Sequence, residues 1–200
     1  MANERDTGDQ GSRRSVLRWL AGFGIAALGG TWLYKSRGSA SAAESSAATD
    51  EAARAATVKE FGRLELPDER WKQLLPEKAY EVLFEEATER PFSSPLNDEK
   101  RDGTFVCAAC YLPLFTSKTK FNSGTGWPSF YDGIPGRLGT KRDFLLLLPR
   151  TEYHCARCDG HQGHVFDDGP PPTGLRYCNN GLALKFVPDG EPLPPLRQAT

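Results

Sequence analysis

What this chain has least of is net charge. Its 200 residues carry 25 basic and 26 acidic side chains, a formal charge of −1, so it has no global field with which to attract a nucleic acid or an anionic membrane surface. The C-terminal half has no basic run of the kind that polyanion binders carry, and nucleic acid is not expected as a partner. No internal repeat is visible beyond two Cys-x-x-Cys units, and histidine is scarce at three residues. With 38% hydrophobic and 10% aromatic content, the chain can bury one ordinary core, which predicts a single globular domain with appendages and no multidomain machine. Nothing in the sequence demands an oligomer, and a monomer is expected.

The N-terminus reads as an address. Ser12-Arg13-Arg14-Ser15-Val16-Leu17-Arg18 places a twin arginine before an apolar stretch from Trp19 to Tyr34 that contains four glycines, a pattern similar to a Tat export signal. A spanning helix needs about 20 predominantly apolar residues, so this stretch is short for one. Ala40-Ser41-Ala42 supplies small residues for cleavage. Residues 1–42 are therefore expected to be a signal, cleaved after Ala42, with an uncleaved membrane anchor as the alternative. Either way the rest of the chain is expected to be periplasmic or otherwise extracytoplasmic.

From residue 43 to 57 the chain is mostly Ala, Ser, Glu and Thr without an aromatic residue. Such a composition buries too little apolar surface to offset its ordering entropy, which predicts a linker. The functional domain is expected over 58–195. It begins with short helices: Pro67, Asp68 and Glu69 form a first turn ahead of Trp71, Leu74 and Leu75, and a second helix follows Pro76 with Ala79, Val82, Leu83 and Ala87 on one face. Beyond Pro91, short apolar runs alternate with Gly, Pro, Asn and Asp, at Thr104–Cys107, Phe144–Leu148 and Leu175–Cys178, which predicts a small, mainly β domain. Leu182, Leu184 and Phe186 alternate with Ala183, Lys185 and Val187 as a half-buried last strand, and the proline-rich tail from Pro188 is expected to be irregular.

Five cysteines divide as four plus one. Cys107-Ala108-Ala109-Cys110 and Cys155-Ala156-Arg157-Cys158 each offer two thiols from a tight turn, and two such grips complete a tetrahedral four-sulfur site for one ion, zinc by default. Four thiolates close the coordination shell, so the ion would be structural. Two disulfides, redox-active Cys-x-x-Cys turns and a four-thiolate iron site are the alternatives. Disulfides within the turns would cross-link almost nothing, whereas an ion ties the two halves together.

The fifth cysteine, Cys178, sits in Arg176-Tyr177-Cys178-Asn179-Asn180. A lone cysteine is by default a small buried hydrophobe. Against that default stand Arg176, a cation able to stabilise a thiolate, His161 and His164 in His161-Gln162-Gly163-His164-Val165-Phe166, Asn180, and the aromatic turn Gly126-Trp127-Pro128-Ser129-Phe130. Their joint presence points to a catalytic thiol.

Gly124-Thr125-Gly126-Trp127-Pro128-Ser129-Phe130, His161 to Phe166 with Asp167-Asp168-Gly169-Pro170 behind it, and Arg176 to Asn180 closely resemble the B-type methionine sulfoxide reductases. The two Cys-x-x-Cys pairs sit in the same order, and Thr88-Glu89-Arg90-Pro91-Phe92 and Lys100-Arg101-Asp102-Gly103 are also similar, so the match runs from about Trp71 to Pro188. The resemblance implies two antiparallel sheets in a small, zinc-stapled, barrel-like domain, a zinc bound by Cys107, Cys110, Cys155 and Cys158, and reduction of the R epimer of methionine sulfoxide, free or in proteins.

On that reading Cys178 is the nucleophile, and His161 and His164 deliver the proton that lets oxygen leave, since an unperturbed imidazole titrates near neutrality. Asn180 is expected to hold substrate or water, Trp127 to offer a flat wall to the substrate's methyl group, and Phe166 and Arg176 to bind substrate beside it. Thr125 stands where some members carry a resolving cysteine, so an external thiol, thioredoxin-like, glutaredoxin-like or small, is expected to reduce the sulfenic acid left on Cys178. Leu146, Leu147 and Gly181 are further departures from the family pattern. A zinc-stapled binding module without chemistry would have no use for this set, and a thiol-disulfide oxidoreductase working through its Cys-x-x-Cys turns would carry no tightly bound metal.

Overall fold

In the computed structural model, residues 39–143 and 150–199 are described, and they belong to one compact unit. The twin-arginine segment, its apolar stretch and the run Phe144–Leu148 with Leu146 and Leu147 lie outside the described residues. Among those described, no helix is long and apolar enough to cross a membrane.

Helix α1 (Ser39–Phe61) spans the stretch 43–57 that composition reads as a linker. Alanine is the best helix former, and the helix gains tertiary contacts that composition does not reveal. Thr57 is buried, and Arg54 pairs with Asp159 at 3.6 Å. Gly136 comes so close that a β-carbon there would lie 2.3 Å from the Ala53 carbonyl oxygen. Phe61 carries the Arg137 guanidinium over its ring at 4.1 Å.

Helices α2 (Asp68–Leu74) and α3 (Glu77–Phe84) follow as expected, each preceded by proline at the N-cap. Trp71 of α2 stacks on Phe84 of α3 with centroids 4.8 Å apart, and Ala79, Val82 and Leu83 face the core. Ala87 lies beyond the end of α3 but still packs against the core.

Among the described residues, nine strands form two antiparallel sheets. In the first, β1 (Gly103–Cys107) lies between β2 (Pro113–Thr116) and β9 (Leu184–Pro188). The second holds β3 (Lys120–Phe121), β4 (Ser129–Phe130), β5 (Leu138–Asp143), β6 (Arg150–Cys155), β7 (His161–Phe166) and β8 (Arg176–Asn179), in the order β3-β4-β8-β7-β6-β5. The first sheet contributes Phe105 and Phe115 to the core and the second Phe130, Tyr153 and Tyr177. Phe115 stacks on Phe130 at 4.2 Å, and Tyr153 meets Tyr177 edge-on at 5.1 Å. The last strand is shorter than expected, because Leu182 and Ala183 form a single 3-10 turn with Gly181. Leu182 is exposed there and Ala183 buried, the reverse of simple alternation.

One irregularity places the site. In a regular strand, residues three apart point to opposite faces of the sheet. Where β6 meets β7 the register slips, so that Tyr153 pairs with Gly163 but His154 pairs with His161. This bulge puts one extra residue in β7 and turns His161 to the same face as His164.

Candidate active site and metal centre

Each Cys-x-x-Cys unit ends a strand, Cys107 on β1 and Cys155 on β6, and each is followed by a residue with a left-handed backbone, Tyr111 at φ 65° and Asp159 at φ 55°. That conformation is uncommon for a non-glycine residue. It closes the two turns, in which Tyr111 and Asp159 donate their amides to the Cys107 and Cys155 carbonyls at 2.9 and 3.0 Å. The four sulfurs converge within 4.8 Å of one another and are all buried. Cys107 and Cys158 stand 3.7 Å apart and Cys110 and Cys155 3.5 Å apart, too far for disulfides at about 2.05 Å. Ligands about 2.3 Å from a tetrahedral ion are about 3.8 Å from each other, so the spacing fits a metal. The Gln162 side-chain amide donates to Cys107 Sγ at 3.6 Å. From the C-terminal tail, Arg197 donates to the Ala109 carbonyl at 2.6 Å, over the first turn.

The second sheet carries a polar row. Ser129 on β4 pairs with Cys178 on β8, Cys178 with His164 on β7, His164 with Glu152 on β6, and Glu152 with Lys141 on β5. Directly paired residues share a face, so strand register puts thiol and imidazole on the same side of the sheet. Gly163, next to His164, permits the close approach of β8: a β-carbon there would lie 1.9 Å from the Cys178 carbonyl oxygen. Gly163→Ala is expected to lower stability by about 3 kcal/mol through overpacking, measurable by denaturant unfolding.

Cys178, His164, Trp127, Phe166, Asn180 and Arg150 line a pocket of about 150 Å³. The Trp127 indole donates to the Glu89 carbonyl at 3.1 Å, which fixes the plane of the wall. Asn180 is more occupied than expected. Its side-chain oxygen accepts from the Glu89 amide at 3.1 Å and its NH2 donates to the Gln162 carbonyl at 3.1 Å, leaving one donor and one acceptor position for a ligand. His161 and Arg176 are not on the lining. His161 is buried behind, its ring 5.5 Å from that of His164 and its Nδ1 3.0 Å from Glu152 Oε1. That contact helps to hold the Glu152 carboxyl down against the upward push of burial, and Nε2 has no hydrogen-bond partner among the described residues. Arg176 turns its guanidinium onto Asp168 at 2.7 and 2.9 Å and covers the Phe166 ring at 4.3 Å.

The electrostatics follow from burial. Desolvation pushes the Cys178 thiol above its ordinary value, outweighing the downward pull of Arg176 and of the Thr125 hydroxyl. Arg176 thus supplies the expected cation, but Asp168 shares it. Burial also pushes His164 down, with Arg150 and His161 acting the same way and Asp143 opposing. His164 Nε2 lies 2.7 Å from Asp143 Oδ2. A carboxylate only accepts, so Nε2 carries the proton. Arg150 Nη2 donates to the same Asp143 oxygen at 2.7 Å.

Sequence reading missed Asp143, Arg150 and Glu89. Asp143 ends β5 and Arg150 begins β6, where they face each other in register, a placement no local pattern announces. Glu89 is buried, accepts from the Gly181 and Leu182 amides just beyond Cys178, and is pushed upward by burial against those two bonds. Its place in Thr88-Glu89-Arg90-Pro91-Phe92 was the only signal.

Fold and site define a class: a β domain clamped by four cysteines, with a separate thiol in an aromatic-walled pocket facing a carboxylate-bound imidazole. The SelR domain family model matches residues 75–188, more than half of the chain, and the chain belongs to that family. It is 53% identical over 121 residues to the peptide methionine sulfoxide reductase MsrB of Pseudomonas putida (strain W619), covering 60% of this chain and 91% of that protein. The proteins of the same name from Methanosarcina barkeri (strain Fusaro / DSM 804) and Agrobacterium fabrum (strain C58 / ATCC 33970) are 50% and 49% identical over 129 and 122 residues. Those matches cover 64% and 60% of this chain and 91% and 90% of the relatives.

Proposed function

We propose that this protein reduces methionine-R-sulfoxide to methionine with Cys178 as the nucleophile. Methionine sulfoxide reduction, an oxidoreductase activity, follows from family membership together with relatives about half identical over nearly their whole length. The observation that carries the residue assignment is the pairing of Cys178 with His164 across β8 and β7 at the pocket wall.

Cys178 sulfur attacks the sulfoxide sulfur as the oxygen is protonated, and oxygen passes to the cysteine, giving methionine and a sulfenic acid. His164, held by Asp143, is the proton-handling group on the lining. His161 acts through it, and Asn180 offers its remaining donor to the sulfoxide oxygen or a water. Trp127 and Phe166 form the apolar wall against which the substrate methyl group packs, so the two epimers present different groups to the imidazole. Arg176 steadies Phe166 and biases the thiol toward ionisation.

The other four cysteines of the chain are gathered in the buried cluster. Two equivalents of an external thiol therefore reduce the sulfenic acid, forming a disulfide between them and releasing water. The cluster holds zinc in this reading, since buried all-thiolate tetrahedral sites suit that ion. Residues 1–42 direct export, which places the enzyme where oxidised proteins or free methionine sulfoxide accumulate outside the cytoplasm.

Turnover of the separate R and S epimers of a blocked methionine sulfoxide with dithiothreitol tests the activity. Consumption of the R epimer alone is expected. A folded, metal-loaded protein inert toward both would leave only a binding module.

A further inference from the structure

Three hydroxyls connect the candidate nucleophile to the turn that carries Trp127. Thr125 Oγ1 lies 4.0 Å from Cys178 Sγ, Ser123 Oγ 2.8 Å from Thr125 Oγ1, Ser129 Oγ 2.7 Å from Ser123 Oγ, and Ser129 Oγ 3.0 Å from the Trp127 carbonyl oxygen. Ser129 is fully buried and is the β4 partner of Cys178, so water does not compete at that end. The Thr125 backbone amide also donates to Ser123 Oγ at 3.4 Å.

Each hydroxyl has one proton to give, and the chain therefore has two unidirectional settings. In one, the Cys178 thiol donates to Thr125, Thr125 to Ser123, Ser123 to Ser129, and Ser129 to the Trp127 carbonyl, so all four contacts are hydrogen bonds. In the other, every rotor is reversed: Ser129 donates to Ser123, Ser123 to Thr125, and Thr125 to a Cys178 thiolate. Ser123 is satisfied in both, accepting twice and donating once. The reversed setting gives up the bond to the Trp127 carbonyl and gains a donor to sulfur. The sulfur contact is the long link of the chain.

We propose that Thr125, Ser123 and Ser129 form a directional hydroxyl chain that sets whether Cys178 stands as a thiol or a thiolate, with Thr125 the positioning residue at the sulfur and the Trp127 carbonyl holding the chain in its resting direction. The upward push of burial on the resting thiol agrees with that direction. Ionisation needs no co-reactant here, since the thiol proton leaves to solvent or base and three rotors turn. The other groups that bear on the thiol are fixed: Arg176 is paired with Asp168, His164 and Arg150 are both bonded to Asp143, and the buried Tyr153 hydroxyl donates to Asn179 at 2.7 Å. The chain is the adjustable element among them. Its bearing on turnover rests on Cys178 being the nucleophile, as proposed above.

The chain makes predictions of opposite sign. Thr125→Val removes the hydroxyl that contacts the sulfur and is expected to raise the midpoint of Cys178 alkylation against pH by about one unit, slowing alkylation at pH 7 about tenfold. Thr125→Ser is expected to restore it. Ser129→Ala and Ser123→Ala remove the competing acceptors, free the Thr125 proton for the sulfur, and are expected to lower the midpoint. The measurement is the rate of iodoacetamide labelling of the full, metal-loaded protein, read at the Cys178 peptide by mass spectrometry from pH 6 to about 10. An unchanged midpoint in Thr125→Val, or shifts of the same sign in the threonine and serine variants, overturns the chain. Labelling does not depend on turnover, so that result is distinct from failure of the catalytic reading, which would appear as full activity in Cys178→Ser.

Discussion

Cys178→Ser is expected to abolish reduction of methionine-R-sulfoxide, with a loss of more than about 10³-fold in single turnover. Two effects act together. A serine hydroxyl stays protonated where a thiol can ionise, and oxygen has no counterpart of the sulfenic acid, so the oxygen atom of the sulfoxide has nowhere to go. The substitution is nearly isosteric at a half-buried position, and the register that pairs residue 178 with Ser129 and His164 is carried by backbone bonds. The fold and the metal cluster should therefore survive. Substrate affinity is expected to change little, because Trp127 and Phe166 still wall the pocket. Residual turnover near the parent rate, in a variant with unchanged circular dichroism, would remove Cys178 from the chemistry and transfer attention to the clustered thiols.

Loss of the metal is the second large effect. Cys107 and Cys110 close a turn of the first sheet and Cys155 and Cys158 a turn of the second, so the ion fastens one sheet to the other. Without a cation, four sulfurs this close cannot share negative charge. The Cys110 thiol is driven down by hydrogen bonds from Cys107, Cys155 and Cys158, while desolvation pushes Cys155 up, and the contacts with Cys107, Cys110 and Cys155 push Cys158 up. Structural zinc contributes about 10–16 kcal/mol in small domains, comparable with the whole stability of an ordinary one at about 5–15 kcal/mol. Chelation, or Cys107→Ser, is therefore expected to leave a chain that no longer unfolds cooperatively at room temperature, seen as loss of near-ultraviolet dichroism alongside metal released into a colorimetric chelator. An unchanged melting temperature in a metal-free protein would show that the clamp contributes little. Absorbance in the visible region would identify iron in place of zinc.

The parts of this molecule that were legible in the sequence are those whose chemistry is local. A Cys-x-x-Cys turn grips an ion wherever it occurs, and both units are where the spacing put them. Cys178 and His164 were recognisable as residues, and the strand pairing adds the reason they share a face. Helices α2 and α3 were announced by proline and by apolar spacing. What stayed hidden depends on long-range geometry. A three-residue spacing gave no physical reason for His161 and His164 to share a face, because the bulge opposite His154 is a property of two strands. Asp143 becomes the partner of His164 only once β5, β6 and β7 lie side by side. Arg176 looked like a free cation because Asp168, eight positions earlier, gave no sign of reaching it. The alanine-rich stretch read as a linker because its composition omits Asp159 and Gly136, against which α1 rests.

The extra residue of the bulge fixes more than the direction of His161. Gln162 passes its carbonyl to Asn180, receiving the amide at 2.8 Å and the side chain at 3.1 Å, and sends its own side chain to Cys107 sulfur at 3.6 Å. One residue thus belongs to the ion's surroundings and to the floor beneath the substrate. The Asn180 amide proton is consequently a built-in gauge. Its exchange with solvent, residue by residue, reads the integrity of a clamp that it never touches.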